Sequence, residues 1–153
     1  ATLTSMTGLA RTYLAQGEME KALPLLEERL KLMRSKLGAD NPYMIESMSE
    51  LAEVYYITMQ PDKSRPLWEE AFKLSRAKLG PDHPATLTSM TGLARAYLAQ
   101  GEMEKALPLL EENLKLQRAK LGQDHPDTLW ISDLLAFAYQ TAGQPEKALP
   151  LLE

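Results

Sequence analysis

The side chains that could carry out acid–base or metal chemistry are few in this sequence. His83 and His125 are the only histidines, and the 153 residues include no cysteine. Both histidines lie in an Asp-His-Pro loop, 42 residues apart, and Asn41 fills the equivalent place earlier in the chain. A turn-and-cap role is therefore predicted for both. A metal site needs several converging ligands, and no Ser or Thr has a His and an acid at triad spacing. The sequence predicts no catalytic residue, no metal site and no cofactor.

Composition limits the classes of partner. The net charge is −4 and no block of Lys or Arg occurs, which argues against binding to nucleic acid or to anionic lipid. The chain has no run of about 18 apolar residues, the length that a membrane span needs. It starts at Ala1 without a recognisable leader, and the lack of cysteine is typical of a reducing compartment. These features predict a cytoplasmic protein without a nucleic-acid or membrane partner.

The structural elements that carry the polar side chains are predicted to be helices arranged in repeats. The chain has 28 Leu but only 3 Ile and 1 Val, so the β-branched residues that strands favour are scarce. Residues 1–42 recur at 85–126 with six differences. These are Thr12/Ala96, Arg29/Asn113, Met33/Gln117, Ser35/Ala119, Ala39/Gln123 and Asn41/His125. The period of 42 predicts one solenoid of four units: repeat 1 (1–42), repeat 2 (43–84), repeat 3 (85–126) and a truncated repeat 4 (127–153).

Each repeat is predicted to contain two helices. An apolar stripe at helical spacing marks the first helix, and Gly17 ends it. In repeat 1 the stripe consists of Leu3, Met6, Leu9, Ala10 and Tyr13. The second helix begins near Met19 and stops at Gly38, and an interior proline, Pro24 in repeat 1, predicts a bend in it. The whole chain is thus predicted to form seven complete helices and a short eighth, with each repeat touching mainly its neighbours.

A set of residues at fixed spacing resembles the tetratricopeptide repeat, a helix-turn-helix unit normally of about 34 residues. In repeat 1 the set is Leu9, Ala10, Tyr13, Gly17, Ala22, Leu26 and Pro42. The phrase Leu-Gly-x-Asp-His-Pro, at 79–84 and 121–126, is similar to the longer units of kinesin light chains and their bacterial relatives. The resemblance implies an all-α, right-handed solenoid. It also implies a non-catalytic scaffold that binds a peptide or partner domain in a concave groove lined by the first helices.

Two positions depart from the family pattern. A small residue common in the second helix occurs only at Ala71, and its replacement by Arg29 and Asn113 puts the usual close approach of helices there in question. The turn glycine is replaced by Met59 in repeat 2. Because a left-handed conformation costs a non-glycine residue about 1 kcal/mol or more, the Met59 turn is expected to take another form.

Helical geometry and the family's orientation place one set of first-helix positions in the groove. The candidate binding residues are Thr7, Arg11, Glu53, Tyr56, Thr91, Arg95, Leu98, Trp130, Asp133 and Phe137. In one interpretation they form a mixed-charge strip with an aromatic end, which holds an extended peptide by arginine–carboxylate contacts. In the other, Arg11, Glu53 and Arg95 pair with one another, and the aromatic residues are exposed only because a following repeat was cut away.

The sequence leaves a second function open. Repeats as alike as 1 and 3 also suit a structural array, or an engineered repeat protein, that stacks end to end without a specific ligand. Solenoid ends normally carry a polar cap, and neither end of this chain has one. Head-to-tail self-association is therefore expected as well.

Overall fold

In the computed structural model, which describes residues 2–153, the chain forms eight helices and no strand within that range. The helices are α1 (Leu3–Ala15), α2 (Met19–Leu37), α3 (Tyr43–Ile57), α4 (Pro61–Leu79), α5 (Pro84–Ala99), α6 (Met103–Leu121), α7 (Pro126–Thr141) and α8 (Pro145–Leu152). Each helix packs against the next along the chain, and all extensive contacts among the described helices join helices of the same or of adjacent repeats. The predicted all-α right-handed solenoid is confirmed, as are the seven full helices and the short eighth.

Polar side chains begin the first helices, as predicted for the Asp-His-Pro loops. The Nδ1 atom of His83 accepts from the Ala85 backbone N–H at 3.1 Å, and that of His125 accepts from the Asp127 N–H at 3.2 Å. Asn41 does the same through its side-chain oxygen, at 2.9 Å from the Tyr43 nitrogen. These bonds satisfy backbone donors that have no partner within the helix. The predicted capping role of the histidines is confirmed.

The turn at Met59 corrects the sequence-based expectation. Met59 adopts φ +59, in the left-handed region, as the equivalent Gly17 does at φ +75. The Gln60 N–H donates to the Tyr55 carbonyl at 2.8 Å, which repeats the bond of the glycine turns. Met59 is 84% exposed, so its side chain meets no packing obstacle. The contacts of the surrounding helices therefore offset the local backbone cost of about 1–2 kcal/mol, and the turn keeps the left-handed form of the glycine turns.

The second helices run through their prolines without a break. Pro24, Pro66 and Pro108 each lie inside a helix of 19 residues. The proline lacks one backbone donor but does not end the helix, because the helix is also held by its neighbours. The bend expected at these prolines stays a prediction.

A tyrosine–glutamate hydrogen bond joins each repeat to the one before it. Tyr139 donates to Glu111 at 2.5 Å, Tyr97 donates to Glu69 at 3.3 Å, and Tyr55 donates to Glu27. Burial, followed by the bond to Glu111, raises the pKa of Tyr139 to about 12. The three bonds fix the register between successive repeats.

The first helices are unevenly spaced. α3 packs directly against α5, where Ala71 and Ser75 are fully buried. Among the described residues, α1 and α3 do not pack in this way, and neither do α5 and α7. At these two junctions the larger Arg29 and Asn113 replace Ala71. The family's close helix approach is thus kept at one junction and lost at two, where pockets open.

Candidate functional site

Two pockets open along the first helices, and they are built from equivalent positions two repeats apart. The α1–α3 pocket has a volume of about 500 Å³, and the α5–α7 pocket has a volume of about 390 Å³. The α1–α3 pocket is lined by Leu3, Thr4, Thr7, Gly8, Arg11, Arg29, Met33, Leu37, Tyr43, Glu46 and Ser47. The α5–α7 pocket is lined by Glu53, Trp68, Pro84, Leu87, Thr88, Thr91, Gly92, Arg95, Gln117, Lys120, Leu121, His125, Asp127 and Trp130.

The α1–α3 pocket is ionic. Arg11 lies 2.7 Å from Glu46 and 3.4 Å from Glu50. Arg29, only 4% exposed, pairs with Glu50 and donates to the Thr7 hydroxyl at 3.4 Å. A buried guanidinium is costly unless it is paired, so Glu50 is needed to hold Arg29 in place. Two arginines and two glutamates therefore set the polarity of this pocket.

Neutral amides stand at the α6 positions that correspond to Arg29 and Met33. Gln117 lines the α5–α7 pocket, and the fully buried Asn113 holds its side chain. Asn113 donates from Nδ2 to the Leu87 carbonyl at 3.1 Å and to the Thr91 hydroxyl at 2.8 Å. Gln117 donates from Nε2 to the Asn113 Oδ1 at 2.8 Å. A carbonyl only accepts, so Leu87 fixes the orientation of the Asn113 amide and, through it, that of Gln117. The Gln117 Oε1 is left buried without a partner among the described residues.

Trp68 forms an apolar wall of the same pocket. Its side chain is 3% exposed and lies over Gly92, where an added Cβ would overlap the ring. Gly92 is required here by close approach, since its backbone is helical. The Trp68 Nε1 is buried and has no partner within residues 2–153. The pocket thus contains one unpaired buried donor and one unpaired buried acceptor.

Three of the predicted binding residues come together beside this pocket. Arg95 lies 3.1 Å from each carboxylate oxygen of Glu53, and its guanidinium lies 4.3 Å from the centre of the Tyr56 ring. The expectation that neighbouring groove charges pair with one another holds for Arg95 and Glu53. It does not hold for Arg11, which pairs with Glu46 and Glu50 because these lie on the facing side of α3.

The other predicted residues are more scattered. Thr7 and Arg11 line the α1–α3 pocket, and Thr91 and Trp130 line the α5–α7 pocket. Thr91 is buried and its hydroxyl donates to the Leu87 carbonyl at 2.9 Å, so it supports the pocket wall. The remaining three lie outside the linings of both pockets: Leu98 is half-buried against the core, and Asp133 and Phe137 are exposed.

Sequence reasoning missed Arg29, Trp68 and Gln117, which line the pockets, and Asn113, which holds Gln117 in place. A signal was available for three of them. Repeats 1 and 3 differ at six positions only, and two of these differences are Arg29/Asn113 and Met33/Gln117. Substitutions that occur in otherwise copied repeats therefore marked the pocket walls. Trp68 gave no such signal, because an aromatic residue on the apolar stripe of a helix is expected to be an ordinary core residue.

Within residues 2–153, no group of three or more His, Cys, Asp or Glu side chains is placed to hold a metal ion. None of the described helices is long and apolar enough to span a bilayer.

Comparison with protein families identifies the chain. The tetratricopeptide repeat family matches residues 2–43, 43–119 and 93–153. The chain therefore belongs to the tetratricopeptide repeat family, whose members are in general protein-interaction or repeat scaffolds. No curated protein gives a significant match to the chain.

Solved structures place the chain more narrowly, with arrays of the kinesin light chain type. The nearly identical TPR-like repeats of a Podosopora anserina protein described as a kinesin light chain are 35% identical, with a TM-score of 0.89 over 98% of this chain and 71% of that one. BtubC of P. vanneervenii is 20% identical, with a TM-score of 0.88 over 97% of this chain and 59% of that one. MamA, at 15% identity and a TM-score of 0.73, shares the fold over 99% of this chain and 69% of its own.

Proposed function

We propose that the chain is a non-catalytic scaffold, in the cytoplasm, whose four sequence repeats act as one array that binds an extended peptide along its first helices. The observation that carries the proposal is the pair of pockets at equivalent positions two repeats apart. A peptide that follows the first helices would insert side chains into both pockets. The half-exposed Trp130 at the rim of the α5–α7 pocket is of the type that anchors peptides.

The charged residues of the groove favour a peptide of mixed charge. Arg11 is exposed, and its bond to Glu46 is a surface ion pair, which contributes little to stability and can be exchanged for a ligand carboxylate. Arg95 is bound to Glu53 but remains partly exposed. Salt should weaken such binding because these contacts are screened.

Selection from a random library of 12-residue peptides tests this function. Bound peptides should lose about tenfold or more in affinity on Trp130→Ala, and a smaller factor on Arg95→Ala. Arg76→Ala is the matched control, since Arg76 forms a similar ion pair, at 3.0 Å from Glu112, but lines neither pocket. A library that yields no binder, or binders indifferent to Trp130 and Arg95, contradicts the proposal.

We further propose head-to-tail self-association as a second function. Leu9 is 45% exposed on α1, whereas its equivalents in the later repeats are buried. Leu152 is 53% exposed on α8, and its equivalents Leu26 and Leu110 are buried at 1% or less. The uncovered face at one side of the array therefore matches the uncovered face at the other, which is a heterologous contact.

Sedimentation of the 153-residue chain over a wide concentration range tests this second function. The average mass should rise with concentration for the parent chain and stay monomeric for Leu152→Glu. Trp130→Ala serves as the control because it changes the groove and leaves α8 intact. A parent chain that is monomeric throughout rules out the second function and leaves the first untouched.

A further inference from the structure

Two side chains that line the α5–α7 pocket carry buried polar atoms of opposite kind. Trp68 Nε1–H is a donor and Gln117 Oε1 is an acceptor, and neither has a partner among the described residues. Both side chains are at least nine-tenths buried, with 3% and 5% exposure, and both line the pocket. Leaving such groups unpaired costs free energy, so an occupant that satisfies both is favoured.

Two of the charged groups that line the pocket, Glu53 and Lys120, are already engaged, and the Asp127 carboxylate is mostly exposed to solvent at the rim. Both carboxylate oxygens of Glu53 contact Arg95, and the Lys120 ammonium donates to the Asp82 carbonyl at 2.7 Å. A ligand carboxylate would bring only acceptors and would face the Gln117 oxygen. A ligand ammonium would bring only donors and would face the Trp68 N–H. The occupant therefore needs one donor and one acceptor on a neutral group.

A carboxamide has this composition, with a carbonyl oxygen for Trp68 and an NH₂ group for Gln117. Leu87, Leu121 and Trp130 supply apolar lining for the methylene stem of such a side chain. We propose that the α5–α7 pocket selects the carboxamide side chain of a glutamine or asparagine in an extended peptide. The inference rests on the proposed peptide-binding function and adds the ligand chemistry of one pocket.

The chain contains its own comparison for this selectivity. In the α1–α3 pocket, Met33 stands where Gln117 stands in the α5–α7 pocket, and Arg29 stands in place of Asn113. Met33 has no amide oxygen to offer. Gln117→Met therefore removes the acceptor with a residue that the chain already uses at the equivalent position.

The test uses four blocked pentapeptides of alanine with a central Gln, Glu, Lys or Leu, titrated into the ¹⁵N-labelled chain. The Gln peptide should bind about tenfold more tightly than its near-isostere, the Glu peptide, and should move the Trp68 indole N–H signal downfield. Trp130→Phe assigns the two indole signals. In Gln117→Met the preference for Gln over Glu should fall to about twofold or less.

The outcomes distinguish failure of the carboxamide assignment from failure of the proposed peptide-binding function. Equal affinity for Gln and Glu peptides, or an unmoved Trp68 signal at saturation, overturns the carboxamide assignment, because water alone would then serve the two buried atoms. If library-selected peptides still bind through Trp130 and Arg95 in that case, the proposed function stands. If no peptide of either kind binds, both proposals fall.

Discussion

The α1–α3 and α5–α7 pockets have nearly the same sequence and different chemistry. Arg29 and Met33 give the first an ion-paired wall, and Gln117, held by a hydrogen bond to the buried Asn113, gives the second a neutral amide wall. Between them, Ala71 and Ser75 let α3 close on α5. One pair of positions in the second helix thus decides whether a junction is closed, ionic or amide-lined. In repeats 1 to 3 the backbone is copied, and the side chains at these two positions distinguish one junction from the next.

The largest expected effect is in the ionic pocket. Glu50→Ala removes the partner of Arg29, which is 4% exposed, and should lower the free energy of unfolding by about 3 kcal/mol or more. Chemical denaturation measures the change. The control is Glu53→Ala beside the other pocket, where the pair is partly exposed and the loss should be about 1 kcal/mol or less. Equal losses for the two variants would contradict an ionic wall that is specific to the first pocket.

The equivalent glycines Gly8 and Gly92 should respond to alanine with stability changes of opposite sign. Gly92→Ala should destabilise the chain by about 1–3 kcal/mol, because the new methyl group overlaps the Trp68 ring. Gly8→Ala, at the equivalent position, should stabilise by up to about 1 kcal/mol, since nothing lies within 4 Å and alanine is the better helix former. Thermal unfolding of the two variants side by side checks this. A shift of the same sign in both would show that Trp68 does not pack as described.

The smallest expected effect concerns the amide wall. Gln117→Met removes the unpaired Gln117 oxygen but leaves the buried Asn113 Oδ1 without its donor. One unpaired oxygen replaces another, so the free energy of unfolding should change by about 1 kcal/mol or less. Urea unfolding measures it. A loss well above that value would mean that Gln117 is needed for folding. The effect of the variant on ligand choice would then not be separable from its effect on stability.

Local features of the fold could be predicted from the sequence because each depends on a few neighbouring residues. The helices, the stop at Gly38 and the caps at His83 and His125 follow from periodicity and capping chemistry. The Met59 turn was missed because the contacts of both flanking helices outweigh a local backbone cost. Sequence alone shows the cost but not the contacts that offset it.

Contacts between repeats were harder to predict. Arg29 reaches Glu50, and Trp68 reaches Gly92, across 21 and 24 residues that belong to different helices. The partner of a long side chain at such a junction depends on the spacing of the helices, which the side chains themselves set. The pocket walls could therefore be located from the differences between repeats 1 and 3, whereas their pairing required the structure.

The proposed function requires that ligand side chains enter the two open junctions and not the closed one. A crystal structure of the chain with a library-selected peptide tests it most directly. We expect peptide side chains in the α1–α3 and α5–α7 pockets. Where α3 meets α5, beside Ala71 and Ser75 of α4, we expect only surface contact. A peptide bound along the second helices, or one that separates α3 from α5, would contradict the claim.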